Sequence, residues 1–579
     1  ANTAFDYKPV LEAWKRSLKP ETNIGNKIAN ANIWRKIGLL LQSAEIGLHV
    51  GGGYLQYQAL EAFDNAIRLN DGVNGPLDIQ VYFFRGIVLK TIGNGNESVK
   101  SFDQILRHPL SIHDYASVLY NKAESLFMIG NISGANQLYR TALYLQPCRS
   151  ERYYSYVQCC KELKHFSKED WQLLAKKFQR SISNCFDSKK ALNNESSEYL
   201  LSVSTNGEGD LIPASSGENI ADEMLGDILL PDKNYFNETT SFLELDTTRK
   251  VSSSAYRAMF IAAHNAEEYT LAWESLETSN RLEKQAREVK FDRQLAIQQL
   301  RHLKSIFKAT FWDGLITPAV KKKSSTFPIF IVGMMRSGST LLETMLDAHS
   351  EVWGMGEDSF FNGNISLFRD RLVQARDVDA VEKLVLNYGR VVATKMKKLA
   401  TVKLEDNILK AKKLKYVVDK MLFNYRNIGL IHLVYPNAII LHTVRDPMDT
   451  LFSCYKNKFD DKGLEWALDM KDLVLQYSIY QQTMNHFRNV LPGRVVDIHY
   501  ESLVQNPEKV MKGVVEKLLK LQWEPAILTF HTQSRVVQTN SMTQVRKEIY
   551  SSSVGAWRKY ETQLEPMKKE LEYQLAMAY

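Results

Sequence analysis

The chain has 579 residues, 44% hydrophobic, 11% aromatic and 24% charged, proportions that exclude a mostly disordered, collagenous or low-complexity protein. At roughly 100 to 200 residues per domain, this length implies three or four structural units. The formal net charge of +7 is mild for such a length, which argues against a dedicated nucleic-acid binder and suits a small anionic ligand.

The five cysteines, Cys148, Cys159, Cys160, Cys185 and Cys454, are odd in number and unpatterned, so free thiols in a reducing compartment are expected rather than a disulfide framework or a metal site. No run of about 18 apolar residues occurs, so no membrane span is expected. The first residues lack the basic, apolar and small-residue order of a secretory signal. The cytoplasm is therefore expected over the Golgi lumen, with a removed leader left open because the chain begins at Ala1.

The first third repeats itself. Gly47, Gly86 and Ala123 are spaced by 39 and 37 residues, and Ala59, Ser98 and Ala135 keep the same phase. So do Phe63, Phe102 and Tyr139, and then Ala66, Ile105 and Ala142. Small residues where helices approach closely, with an aromatic one turn away, are what stacked helical hairpins require. With Leu119 and Pro147 added, residues 35–150 resemble degenerate tetratricopeptide repeats. An ordinary helical bundle is the bland alternative. Residues 1–190 are expected to form this helical region.

Residues 191–250 turn polar and lose periodicity, which reads as a loop or insert, partly disordered. Helical periodicity resumes in 251–316 as one more hairpin, carrying Tyr256, Met259, Ala272 and Leu276, and a charged connecting helix. Residues 317–326 (TPAVKKKSST) read as a basic linker, which places the domain boundary near Pro318. From 327 to 579 the texture is that of a parallel α/β unit, with buried strands expected at 327–332, 415–419, 438–444 and 494–500. Ligands of such sheets bind at the carboxyl ends of the strands.

The first strand runs into IVGMMRSGSTLLE, a turn in which backbone N–H groups and a helix N-terminus converge on one anion. The loop lacks the lysine of a nucleotide triphosphatase loop and carries Arg336 instead, which disfavours a kinase-like Mg²⁺ site. This loop resembles the phosphosulfate loop of sulfotransferases, and LHTVRDPMDTLFSCYKN resembles their segment for the donor's 3′-phosphate. VVDKM, DIHYESL and SSVGAWRKYE extend the likeness to tetratricopeptide-repeat sulfotransferases and to the tyrosylprotein sulfotransferases.

The resemblance implies an α/β, P-loop-like sulfotransferase domain with a parallel central sheet after the helical repeats. It implies 3′-phosphoadenosine 5′-phosphosulfate as co-substrate, without a metal. Glu357 is then the general base, Lys420 stabilises the leaving group, and Arg336 completes the catalytic set. Arg336, Ser337, Gly338, Ser339 and Thr340 line the donor, together with Arg445, Ser453, Tyr500, Ser541 and Tyr550. Asn457 stands where the tyrosylprotein family has arginine, which puts peptide tyrosine in doubt as acceptor. The expected partners are a hydroxyl-bearing (or amine) acceptor and a protein held by the repeats; nucleic acid is not expected. The alternative is a repeat scaffold with a non-catalytic domain. His349 and His442 are expected to be structural, and the lysine-rich stretch 394–415 a solvated helix face.

Overall fold

The computed structural model describes residues 8–21, 24–48, 54–70, 79–146, 149, 151–163, 166–186, 203–205, 211–213, 253–287, 289–309, 327–357, 414–459, 463–532 and 548–577. The chain divides into two compact units, Ala1–Gln285 and Ala286–Tyr579.

The N-terminal unit is built from paired helices: α1 (Lys8–Arg16), α2 (Ile24–Leu48), α3 (Tyr54–Asn70), α4 (Ile79–Thr91), α5 (Gly95–Ile105), α6 (Ile112–Met128), α7 (Ile132–Leu145), α8 (Glu151–Cys160) and α9 (Lys168–Phe186). The periodic positions face the core. Phe63, Phe102, Ala59, Ser98, Ala135, Ala142 and Ala123 are all fully buried. Gly86 earns its place by contact: a Cβ there would stand 2.7 Å from the Phe102 ring. In the first hairpin Gly38 lies beneath Phe63, where a Cβ would stand 2.5 Å from that ring, whereas the spacing points to Gly47. The reason is that α2 runs to Leu48, further past its contact glycine than α4 runs past Gly86.

Two short strands, β1 (Val203–Thr205) and β2 (Leu211–Pro213), pair antiparallel with Ser204 opposite Ile212, inside the segment read as a polar insert. Helices α10 (Ser253–Asn265) and α11 (Tyr269–Ala286) then form the later hairpin, with Met259, Ala272 and Leu276 in its core.

The C-terminal unit starts earlier than the basic stretch suggests. Helix α12 (Arg293–Ile306) packs Leu300 against Leu475 and Ile479 and pairs Arg293 with Asp472 at 2.5 Å, so it belongs to this unit. The linker residues 317–326 lie outside the described residues. Next come β3 (Phe327–Gly333), α13 (Ser339–Asp347), β4 (Val352–Gly354), β5 (Tyr416–Asp419), α14 (Ile428–Val434), β6 (Ile439–Val444), α15 (Pro447–Lys456), α16 (Met470–Val490), β7 (Val495–His499), α17 (Tyr500–Gln505), α18 (Pro507–Lys512) and α19 (Glu561–Ala576). The sheet order is β4-β5-β3-β6-β7, parallel throughout. β4, only three residues long, is an edge strand that sequence pattern does not reveal.

Ile329, Ile331, Val418 and Leu441 are fully buried with Leu342, Met345 and Leu346 of α13. Each such side chain contributes about 1.5 to 3 kcal/mol of burial free energy. The helix is thereby held on the sheet. After β3 the chain builds β4 and β5 on one side and β6 and β7 on the other, so β3 sits at the switch point, where such sheets open a crevice at their carboxyl ends.

Candidate active site

The loop after β3 is built for close approach. Gly333 has φ +152°, and a Cβ there would meet Thr443 Oγ1 at 2.8 Å. Gly338 has φ +92°, and its Cβ would stand 2.3 Å from Tyr500 Cδ2. Arg336 itself adopts φ +66°, a left-handed conformation that costs an L-residue about 1 to 2 kcal/mol. Such strain persists only where the surroundings hold it. Here Arg445 Nη1 donates to the Arg336 carbonyl at 2.9 Å, and Arg336 Nε donates to Ser453 Oγ at 3.2 Å. Helix α13 opens on Gly338, which has no side chain to cap the first turn. Its backbone N–H groups and Ser339 and Thr340 therefore stand at the mouth of the loop.

The Ser337 hydroxyl turns inward, bonding the Met334 carbonyl and Thr443 Oγ1, each at 2.6 Å. Ser337 is 1% exposed, so what it offers a ligand is backbone. Asn457 ends α15 and donates to the Ser453 carbonyl at 2.6 Å, steadying the helix turn that carries Ser453.

Arg445, at the end of β6, is the hub of the opposite wall. Its Nη2 donates to the Ser553 carbonyl at 2.6 Å, and its guanidinium lies 4.7 Å over the Tyr500 ring. Its Nε is buried without a hydrogen-bond partner among the described residues. That orphaned donor fits an anion, because a buried charged donor left unmet is costly. Tyr500 shares a 2.6 Å hydrogen bond with Ser553 Oγ. Asp449 accepts from the backbone of Gly555 at 2.6 Å and of Trp557 at 3.3 Å, tying the 551–557 segment to α15. Cys454, fully buried beneath the loop, has its thiol pushed up to about 12: burial outweighs the nearby Arg336 and Arg445 charges. It is not a nucleophile.

On the other side of β3, Lys420 follows β5. It is fully buried and bonds Glu357, whose side chain is 46% exposed. A second carboxylate, Glu343 of α13, is 2% exposed and lies 3.8 Å from Lys420 Nζ. Its other oxygen accepts the Gly356 N–H at 2.7 Å. The backbone closes the same turn, with Lys420 N–H donating to the Gly356 carbonyl at 3.2 Å. The loop thus has guanidinium groups on one side and an ammonium–carboxylate pair on the other.

The two histidines are otherwise engaged. His349, 1% exposed, accepts from Glu351 N–H at Nδ1 (3.0 Å) and donates from Nε2 to the Gln522 carbonyl (2.9 Å). His442 bonds Asp497 at 2.8 Å and Tyr480 on its other nitrogen, and burial lowers its pKa. Tyr550 is exposed, and Ser541 lies outside the described residues, as do 394–413 of the lysine-rich stretch. Sequence reasoning missed Glu343, Asp449 and Ser553. Glu343 had one signal, a lone carboxylate in the apolar helix face LLETML.

Among the described residues no helix is long and apolar enough to cross a membrane. Residues 328–525 match the model of the Sulfotransferase family. The chain is 32% identical over 244 residues to an uncharacterized protein of Aquifex aeolicus, covering 42% of this chain and 31% of that protein. It is 27% identical over 229 residues to protein-tyrosine sulfotransferase 1 of Danio rerio, covering 39% of this chain and 62% of that protein. With protein-tyrosine sulfotransferase 2 of Gallus gallus the identity is 27% over 206 residues, covering 34% and 53%. Thus the chain spans only a third to two thirds of the length of these relatives. The sulfotransferase domain of the Synechococcus PCC 7002 olefin synthase covers 45% of this chain and 98% of its own, at 20% identity and a TM-score of 0.29. The C-terminal half therefore carries a sulfotransferase-family domain related to the protein-tyrosine sulfotransferases.

Proposed function

We propose that the C-terminal unit moves a sulfuryl group from 3′-phosphoadenosine 5′-phosphosulfate to a hydroxyl or amine acceptor. The observation that carries this reading is the buried Lys420 paired with Glu357, beside a strand whose outgoing loop is held by Arg336, Arg445 and Ser453. Glu357 takes the acceptor's proton as the acceptor oxygen bonds to sulfur. The bond from sulfur to the bridging oxygen breaks, and the electron pair leaves on the nucleotide's 5′-phosphate, which Lys420 and Arg336 stabilise. The sulfuryl group carries less negative charge than a phosphoryl group, so fixed cations suffice in the role that Mg²⁺ plays in phosphoryl transfer. Arg445 and Ser453 grip the 3′-phosphate, and Tyr500 lines the nucleotide pocket. The helical hairpins of the N-terminal unit act as a tetratricopeptide-type stack that selects the acceptor or a protein partner.

Calorimetry with adenosine 3′,5′-bisphosphate tests the reading. The expected result is micromolar affinity without added metal. A requirement for Mg²⁺, or a preference for ATP, would overturn it.

A further inference from the structure

Lys420 has two carboxylate neighbours, and they differ in kind. Glu357 is half-exposed and bonds Lys420 directly, whereas Glu343 is 2% exposed and sits at 3.8 Å. A buried ammonium needs a partner at every stage, because removing the only partner of a buried charge typically costs about 3 to 5 kcal/mol. Yet a general base loses its charge when it works. Once Glu357 accepts the acceptor's proton, Lys420 would face a neutral acid while it supports the leaving oxygen.

We propose that Glu343 is a positioning residue, the standing carboxylate partner that keeps Lys420 in place when Glu357 is neutralised by the acceptor's proton. The inference rests on the sulfuryl-transfer reading above. The geometry suits it. Glu343 is carried by α13, whose neighbours Leu342, Met345 and Leu346 are locked in the core, so its carboxylate does not follow movements of the Glu357 turn. One of its oxygens holds the Gly356 N–H, which fixes the backbone just ahead of Glu357, and the other faces Lys420. A single buried side chain thus references both members of the pair to the helix that opens the anion loop.

The test has two arms. Melting temperatures of Glu343→Gln, Glu357→Gln and the double variant are compared, each with and without Lys420→Met. Either single change should be mild, since one carboxylate remains. The double variant should lose more than the sum of the singles, and Lys420→Met should abolish that excess. In the second arm, Glu343→Gln keeps an oxygen for the Gly356 N–H but loses the charge. Turnover at saturating substrates should fall at least tenfold, with KM values and adenosine 3′,5′-bisphosphate affinity within about threefold of the parent. Glu343→Asp should recover part of the loss. Additive melting shifts, or Glu343→Gln turnover within threefold of the parent, in a protein that binds the bisphosphate would overturn this inference alone. A parent that does not bind the bisphosphate overturns the sulfuryl reading, and the catalytic half of the inference with it.

Discussion

Arg445 donates to the main-chain carbonyl of Arg336 at 2.9 Å, so the side chain at the end of β6 fixes the backbone of the loop after β3. The two guanidinium groups are thereby brought to one cradle although they lie far apart in sequence. Arg445 also donates to Ser553, which ties the cradle to a third segment. A residue that both builds the site and presents a buried Nε with no hydrogen-bond partner among the described residues should dominate anion affinity.

Arg445→Ala is accordingly expected to weaken adenosine 3′,5′-bisphosphate at least tenfold. A charge-assisted hydrogen bond is worth about 1.5 to 3 kcal/mol, and the loop support is lost as well. Isothermal calorimetry reads the change directly; an affinity within twofold of the parent would remove Arg445 from the donor site. Arg445→Lys should rescue little, since a point charge cannot make the forked contacts to Arg336 and Ser553.

Gly338→Ala is the sharpest test of the loop's shape. The new methyl would meet Tyr500 at 2.3 Å at a residue with φ +92°, so it forces both left-handed strain and displacement of the ring. A loss of about 1 to 3 kcal/mol in stability is expected, with bisphosphate affinity reduced because Tyr500 carries the Arg445 contact. Combining it with Tyr500→Ala should recover only the part of the stability lost to the clash, since the left-handed strain remains, and no affinity. Recovery of both would mean that the ring plays no part in the pocket.

How much of this was readable in the sequence depends on where each signal resides. β3 and its loop were, because an apolar strand followed by Gly333 and Gly338 encodes local geometry. The strand-end positions of Lys420 and Arg445 were, because each follows a short apolar strand; the roles proposed for them came from the resemblance. Glu343 was only hinted at by its lone place in an apolar helix face, because its contacts with Lys420 and the Gly356 turn are long-range and no local pattern records them. Ser553 was missed because what Arg445 uses is its main-chain carbonyl, and any residue has one. The same limit explains Gly38: column spacing assumes equal helices, and α2 is longer than α4.

Stability should fall with acid in two stages. His432 is pushed down to about 4 by burial and then by Arg494, and His442 is lowered by burial, its bond to Asp497 only partly opposing this. Both bind a proton less readily folded than unfolded, so their contribution is complete above the ordinary value of 6.5 and is lost as pH falls toward 4. Asp497 follows at lower pH. Burial would raise it, but hydrogen bonds from His442 and Arg488 prevail and hold it at about 2, so its contribution is present above 3.8 and lost toward 2. Melting temperature measured against pH should drop below about pH 6.5, and His432→Gln should make that first stage smaller, His442 still contributing. A melting temperature constant between about pH 7 and about pH 4.5 would contradict the burial of these rings.

The catalytic prediction concerns Glu357, which unlike His349 has an exposed carboxylate, 46% of the side chain, able to meet an acceptor. Both His349 nitrogens are already bonded within the protein, so the histidine has neither a free lone pair nor access. Glu357→Gln keeps shape and hydrogen-bonding reach but cannot take a proton. General-base assistance is typically worth about 10² to 10⁴ in rate, so turnover should fall by that factor while bisphosphate affinity and melting temperature hardly change, Glu343 remaining beside Lys420. Lys420→Met should also lower turnover, with a modest loss of donor affinity, since the charge opposite the leaving oxygen goes. A carboxylate that only neutralised Lys420 would behave differently: with Glu343 still beside Lys420, its loss would leave the chemistry nearly intact. Glu357→Gln turning over within about threefold of the parent, far below the general-base range, would therefore reassign the base and leave Glu357 as a partner of Lys420 alone.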